Sequence, residues 1–341
     1  MRQATATSVH PSDRTTERPG PPQAELCSTP IPCAPGPPPP PSAAPPDPPR
    51  PPSDAMKTNW IAAACLGLLA LPVLAHDFWI EAGRFQAPTG QPLEARLFVG
   101  HRGDREERVR DPRRLLEFYL QTPAGKRLPL EGEADKSPAG RLEALPEGLC
   151  WLVYRSNFSE IELEPAKFEA YLREEGLDHI LAERIRLGES TRPGRERYAR
   201  CAKALVRGLT PGAALPTGEF AARVGLPVEL TLGADPAFPP PAPPDQGAIL
   251  LPISLWVQGA GVEGHLVVLE RLDGAPEAPL SHGARTDAEG VARLPWPGPG
   301  RWLATAVHMS RIQEPGDHEW QSHFASLCFE IPAAEPAQAG R

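Results

Sequence analysis

The sequence predicts a mainly β protein, built as two β-sandwich domains with a helical insert between them. Three observations carry that expectation. Short apolar runs, alternating in the clearest case, recur between Gly, Pro and Asp on both sides of the chain's middle. A central stretch switches to helical spacing. Near the end, Thr286-Asp287-Ala288-Glu289-Gly290-Val291 and Pro297-Gly298-Pro299-Gly300-Arg301-Trp302-Leu303 read as turn, strand, turn, strand.

The first sandwich is expected over 76–164, with strands at Leu93–Val99, Leu116–Leu120 and Cys150–Tyr154. Leu93 to Val99 alternates with period two, as a strand with one buried face should. The charged run Gly103 to Arg114 reads as a solvated loop between the first two strands. The helical insert is expected over 165–208. Pro165 suits a first helical turn, Phe168, Tyr171 and Leu172 recur at helical spacing, and Gly176 offers a stop. A second helix is expected through Ile180, Leu181, Ile185 and Leu187, and a third through Tyr198, Cys201, Ala202 and Leu205 to Gly208, with Arg192-Pro193-Gly194 as the break between them.

The second sandwich is expected over 225–331. Its strands are read at Val228–Leu232, Ile249–Val257, His265–Leu269, Val291–Leu294, Arg301–Met309 and Phe324–Ile331, with Pro239 to Pro244 as a stiff connection. The tail 332–341 reads as disordered. Gly259-Ala260-Gly261-Val262-Glu263-Gly264 matches the GxGxxG pattern, but a dinucleotide site needs a helix after it. Here Leu266-Val267-Val268-Leu269 reads as a strand, so the glycines belong to a hairpin turn.

Upstream of the sandwiches, residues 1–55 hold 18 of the chain's 46 prolines and almost no aliphatic side chains. Such a segment cannot bury enough apolar surface to order itself, and it reads as a disordered leader. Residues 56–75 read as a signal peptide, with Met56 and Lys57 ahead of the apolar run Leu66 to Leu74 and Val73-Leu74-Ala75 as the cleavage site. A signal peptide works only near a chain start, so translation is expected to begin at Met56. The apolar run is shorter than the ~20 residues of a spanning helix, so the protein is not expected to be an integral membrane protein.

A net charge of −8 argues against a nucleic-acid partner. Cys150, Cys201 and Cys328 remain after the leader and signal, an odd number that leaves at least one free thiol. Nothing local activates Cys150 or Cys201, so both read as structural. No HExxH, GxSxG or P-loop pattern occurs.

Cleavage after Ala75 would make His76 the first residue. A terminal His offers an α-amine, an imidazole nitrogen and a deprotonatable amide in one chelate, a grouping that suits Cu(II) or Ni(II). Asp77 follows as a possible further ligand. His101 falls at a strand end and His308 near the end of another, positions from which a side chain can leave a sheet rim. His76, Asp77, His101 and His308 are therefore the expected metal ligands, each weighed against an ordinary surface or core role.

The chain also resembles a family of periplasmic bacterial proteins of formally unknown function, associated by name with nickel uptake. The resemblance covers 56–331 and rests on several stretches together. They are Ala75-His76-Asp77-Phe78-Trp79, Tyr154-Arg155-Ser156-Asn157, Tyr171-Leu172-Arg173-Glu174-Glu175-Gly176-Leu177, Gly194-Arg195-Glu196-Arg197-Tyr198 and Ala306-Val307-His308-Met309. It implies a periplasmic, metal-associated, non-catalytic protein in which His76 and Asp77 match the family's start and His308 its C-terminal His-Met pair. His323 departs from the family pattern, standing where an aromatic residue is expected. Separately, 284–309 looks like the transthyretin-like or carboxypeptidase-regulatory-like sandwich, an immunoglobulin-like arrangement, and says nothing about activity.

These readings converge on an exported protein that binds Ni(II), or else Co(II) or Cu(II), and serves membrane metal-uptake transporter components. Two other classes stay open: a copper-dependent oxidative enzyme using the terminal His, and a metal-free envelope adaptor. The first needs a substrate surface rich in aromatics, and only 6% of residues are aromatic.

Overall fold

The computed structural model describes residues 77–101, 104–216, 218–241, 248–274, 280–314 and 316–333. The leader, the signal peptide, His76, part of the Pro239–Pro244 connection and most of the tail lie outside the described residues. The chain divides into two compact units, Met1–Gly67 and Leu68–Arg341, and every described residue belongs to the second.

The first half contributes β1 (Asp77–Ala82), β2 (Gln86–Pro88), β3 (Leu93–His101), β4 (Asp104–Arg108), β5 (Leu115–Gln121), β6 (Arg127–Pro129), β7 (Gly140–Leu142), β8 (Gly148–Ser156) and β9 (Ser159–Leu163). Two helices follow, α1 (Pro165–Glu174) and α2 (Asp178–Arg186), and then the long strand β10 (Gly194–Leu209). The rest is β11 (Val228–Leu232), β12 (Leu250–Val257), β13 (Ala260–Gly261), β14 (Leu266–Arg271), β15 (Ser281–Arg285), β16 (Val291–Pro295), β17 (Gly300–Arg311) and β18 (Trp320–Ile331). The protein is thus mainly β, as its sequence predicts.

Among the described residues three sheets form three layers. The middle layer is a ten-stranded sheet in the order β15-β14-β17-β18-β10-β8-β5-β6, with β2 and β9 also paired to β10. One face packs against the sheet of β11, β12, β13 and β16, burying Leu230, Ile253, Leu255, Val267, Leu269 and Leu327. Part of the other face packs against the sheet of β1, β3, β4 and β7, burying Ile80, Leu97, Leu152, Ala204 and Leu303. The two helices cover the remainder of that face, over Val307, Met309, Trp320 and Phe324. One sheet therefore serves all three cores.

Both α1 and α2 match the expected helices, but the third expected helix does not exist. Tyr198 to Gly208 is the body of β10. Its residues are apolar on both sides because both sides are buried: Cys201 and Leu205 face one core, Ala202, Ala204 and Val206 the other. A strand buried on both faces loses the alternation that marks a strand, and its apolar positions here happen to fall at helical spacing. The charged stretch Gly103–Arg114 is also more than a loop, since Asp104–Arg108 pairs with β3 as an edge strand. Charged side chains suit such an edge, where one row of backbone groups stays open to water. The glycine run at 259–264 is a hairpin turn, with β12 paired to β13 and Gly259 and Gly264 at positive φ.

β10 holds the helices as well as the sheets. Gly194 lies beneath the Phe168 ring, where an added Cβ would stand 2.3 Å from it, so only glycine lets α1 come this close. Further along, Lys203 donates to Glu229 Oε1 at 2.8 Å, and both side chains are almost wholly buried. The Glu229 carboxylate also accepts the backbone N–H groups of Val224 at 2.7 Å, Gly225 at 3.1 Å and Leu226 at 3.2 Å. The Lys203 ammonium stands 4.5 Å from the Trp151 ring centroid. Removing one partner of such a pair leaves a buried charge unpaired. We expect Glu229→Ala to lower stability by about 3–5 kcal/mol in urea unfolding, and a loss below ~1 kcal/mol would show that the pair does not join β10 to β11.

Candidate metal centre

The hairpin of β17 and β18 sets His308 directly opposite His323. β14 pairs with β17 in the register Val268↔Thr305, and continuing that register to the residue before β14 places His265 opposite His308. Directly opposed residues on neighbouring strands share a face, so the three histidines form one row across three adjacent strands. They share the face of Val267, Ala306 and Ala325, which are buried in the core against β11, β12 and β16. The row is where that core surface ends.

The His265 and His308 ring centroids lie 5.2 Å apart with the planes inclined by 28°, and His265 Nε2 is 3.0 Å from His308 Nδ1. The other ring nitrogen of His265, Nδ1, is 3.0 Å from the Glu263 carbonyl. A carbonyl only accepts, so Nδ1 carries the proton, and Nε2 accepts a hydrogen bond from His308 Nδ1–H. His323 packs edge-on against Phe158 at 5.4 Å. The Arg197 guanidinium lies over the Phe158 ring, 5.1 Å from its centroid.

His179 reaches the row from the start of α2, its ring 5.7 Å from that of His265. One arginine fixes that approach. Arg285 donates to the Gly176 carbonyl at 2.9 Å, to the Gly264 carbonyl at 2.6 Å and to Asp178 at 2.5 Å. It therefore ties the α1–α2 turn to the turn that carries His265. Gly176 makes the turn at φ +66, with Leu266 packed where a side chain would go.

Burial disfavours the charged imidazoles. It pushes His308 down to about 4, helped by His265, His323 and His179 nearby. It also pushes His323 down to about 4, with Arg155 and Arg197 adding to the effect. His265 is lowered as well, first by burial and then by His179 and Arg285, against the raising effect of its Glu263 hydrogen bond. At neutral pH these rings are uncharged and their free nitrogens can act as ligands.

Of the residues expected from sequence, only His308 belongs to this row. His76 lies outside the described residues. Asp77 opens β1, paired with Gly100, and its charge is felt by Glu175 and Arg200. His101 ends β3, its backbone paired with Asp104. Asp77 and His101 therefore sit at one end of the β1–β3 pair, on a different sheet from His308. Sequence reasoning did not combine His265, His179 and His323 with His308. Among the described residues no three His, Cys, Asp or Glu side chains stand close enough to hold an ion as they are. The structure supplies a hydrogen-bonded pair of imidazoles, His265 and His308, with the His179 ring 5.7 Å from that of His265. Cys150, Cys201 and Cys328 are free, buried thiols held protonated by burial.

The fold and this row define a β-sandwich protein with a cluster of neutral histidines at the end of its central sheet. No described helix is long and apolar enough to cross a membrane. The chain belongs to the family described as Domain of unknown function (DUF4198), whose model matches residues 73–310. A search of curated proteins finds no match.

The lowered pKa values give a pH dependence of stability. A histidine at about 6.5 when unfolded and about 4 when folded contributes stability that is full above pH 6.5 and is lost as pH falls toward 4. In EDTA, we expect the wild type to lose roughly 2 kcal/mol more than His323→Phe between pH 7 and 4.5. Equal losses in urea unfolding would mean that His323 is not held neutral by the fold.

Proposed function

We propose that the protein binds a divalent transition metal through His265 and His308, and delivers it to a membrane metal-uptake system. The observation that carries this reading is the His265 ring, with Nδ1 held by the Glu263 carbonyl and Nε2 aimed at His308 Nδ1, 3.0 Å away. Metal-binding histidines usually donate their other N–H to a carbonyl or carboxylate in this way. The 3.0 Å spacing is that of a hydrogen bond, so an ion enters by displacing the proton between the two nitrogens as the rings turn apart.

His179 is the third donor in this reading, brought in by rotation of its exposed side chain. The resemblance to a nickel-associated family supports nickel, with cobalt or copper as the other candidates, and the signal-like segment supports a periplasmic location. A carrier needs ligands that exchange, and two or three imidazoles hold an ion less firmly than a closed cage does. In this reading the protein is a carrier, not an enzyme. His76 and Asp77 form a second candidate chelate, which titration can separate from the first.

The test is a competitive Ni(II) and Cu(II) titration of the form beginning at His76, the same form with one extra Ala before it, and His265→Ala, His308→Ala and His318→Ala. We expect the first two histidine variants to weaken binding by at least tenfold and His318→Ala to leave it unchanged. Binding should be lost as pH falls toward 4, where the His308 imidazole takes up a second ring proton. Loss on adding the Ala alone would move the metal to the terminus. No binding by any form would leave a metal-free adaptor.

A further inference from the structure

A cleft of about 730 Å³ opens between the β1–β3–β4 sheet and β8, β9 and β10. It falls within the ~300–1,000 Å³ range of small-molecule sites, and none of the row histidines lines it. Its inner wall is aromatic and aliphatic. Phe78 and Tyr154 pack with ring centroids 4.8 Å apart, Tyr198 lies beside them, and Leu97 and Val99 continue the surface. The Arg200 guanidinium lies 5.4 Å from the Phe78 and Tyr198 ring centroids.

The rim is charged, and its carboxylates Glu106, Glu107 and Asp111 are each paired with an arginine. Arg108 holds Glu106 at 2.8 Å and Arg113 holds Asp111 at 3.0 Å. Arg114 lies 3.8 Å from the same Asp111 and also donates to Ser159 Oγ. Glu107 accepts from Ser137 and, at 3.4 Å, from Arg96. An anionic ligand would meet several carboxylates at this rim, and a cationic one several guanidiniums. Each carboxylate–guanidinium pair nevertheless offers an acceptor and donors side by side, which is what a hydroxyl needs when it donates and accepts at once. Of the wall's rings Tyr198 is half-buried and offers C–H groups a surface to pack on, while Phe78 and Tyr154, 8% and 6% exposed, back it.

We propose that this cleft binds a neutral polyhydroxylated ligand, a sugar unit whose apolar face lies on Tyr198, backed by Phe78 and Tyr154, and whose hydroxyls meet the ion pairs of the rim. The assignment is independent of the metal reading. Ser159 Oγ accepts from Arg114 and keeps its O–H to donate at the rim, whereas Ser156 Oγ accepts from the Arg200 backbone N–H at 2.9 Å and donates to the Asn157 carbonyl at 2.7 Å. Val109 stands at the cleft half exposed, at 47% of its full surface. A larger side chain there would fill the space without disturbing a core.

The experiment is calorimetric titration of the full chain with cellobiose in EDTA, with citrate and spermidine as the charged comparators, supported by saturation-transfer NMR. Saturable cellobiose binding is expected, with neither comparator competing. Val109→Trp and Tyr198→Ala should each raise the Kd at least tenfold while the melting temperature of Val109→Trp stays that of the wild type. Absence of cellobiose binding, preference for citrate or spermidine, or a Kd unmoved by both variants would overturn the proposal.

Discussion

Everything described depends on the pairing of β10 in the middle of the central sheet. Along one edge it pairs antiparallel with β9 and then β8; along the other it runs parallel to β18 over nine residues and then meets β2. Among the described strands, backbone pairing joins the N-terminal part of this sheet to the C-terminal part through β10. Its side chains also reach every layer, with Cys201 and Leu205 in one core and Ala202, Ala204 and Val206 in the other. Both candidate sites border this strand. Tyr198 and Arg200 line the cleft, and Ala199 is the neighbour of His323 at the end of the histidine row.

The same strand marks the limit of what the sequence discloses. Strands with one buried and one wetter face, such as Leu93–His101, announce themselves by alternation. Val228–Leu232 is buried throughout and is still found, because turn residues bound it closely. Where neither alternation nor boundaries help, as from Tyr198 to Gly208, apolar spacing alone mistakes a strand for a helix. The helices α1 and α2 are found because Pro165 and Gly176 mark where the first begins and ends.

The site divides along similar lines. His308 is reachable from sequence because it falls near the end of a recognisable strand. The row around it depends on register, which joins residues far apart in the chain. One part of it was within reach: a turn centred at Pro315-Gly316 puts residues 308 and 323 at equal distances from it, and therefore opposite each other in a hairpin. The approach of His179 was not, because it depends on the bridge Arg285 makes to two turns. Chemistry then follows from place. At the edge of an apolar core imidazoles lose their protons, and a side chain that would be an ordinary base in water becomes a standing donor.

The parallel pairing of β10 with β18 also fixes an order of assembly. Glu196 and Trp320, the first pair in that register, are 124 residues apart in sequence. Closing so long a loop is slow, and a chain emerging from its N-terminus has β8, β9 and β10 in place well before their partner exists. Until then one edge of β10 presents unpaired backbone groups in an apolar setting, the kind of edge that recruits strands from other molecules. The last described strand therefore fills the centre of the largest described sheet, and a nascent chain stalled or cut before Trp320 carries an open edge through the middle of what should have been its core.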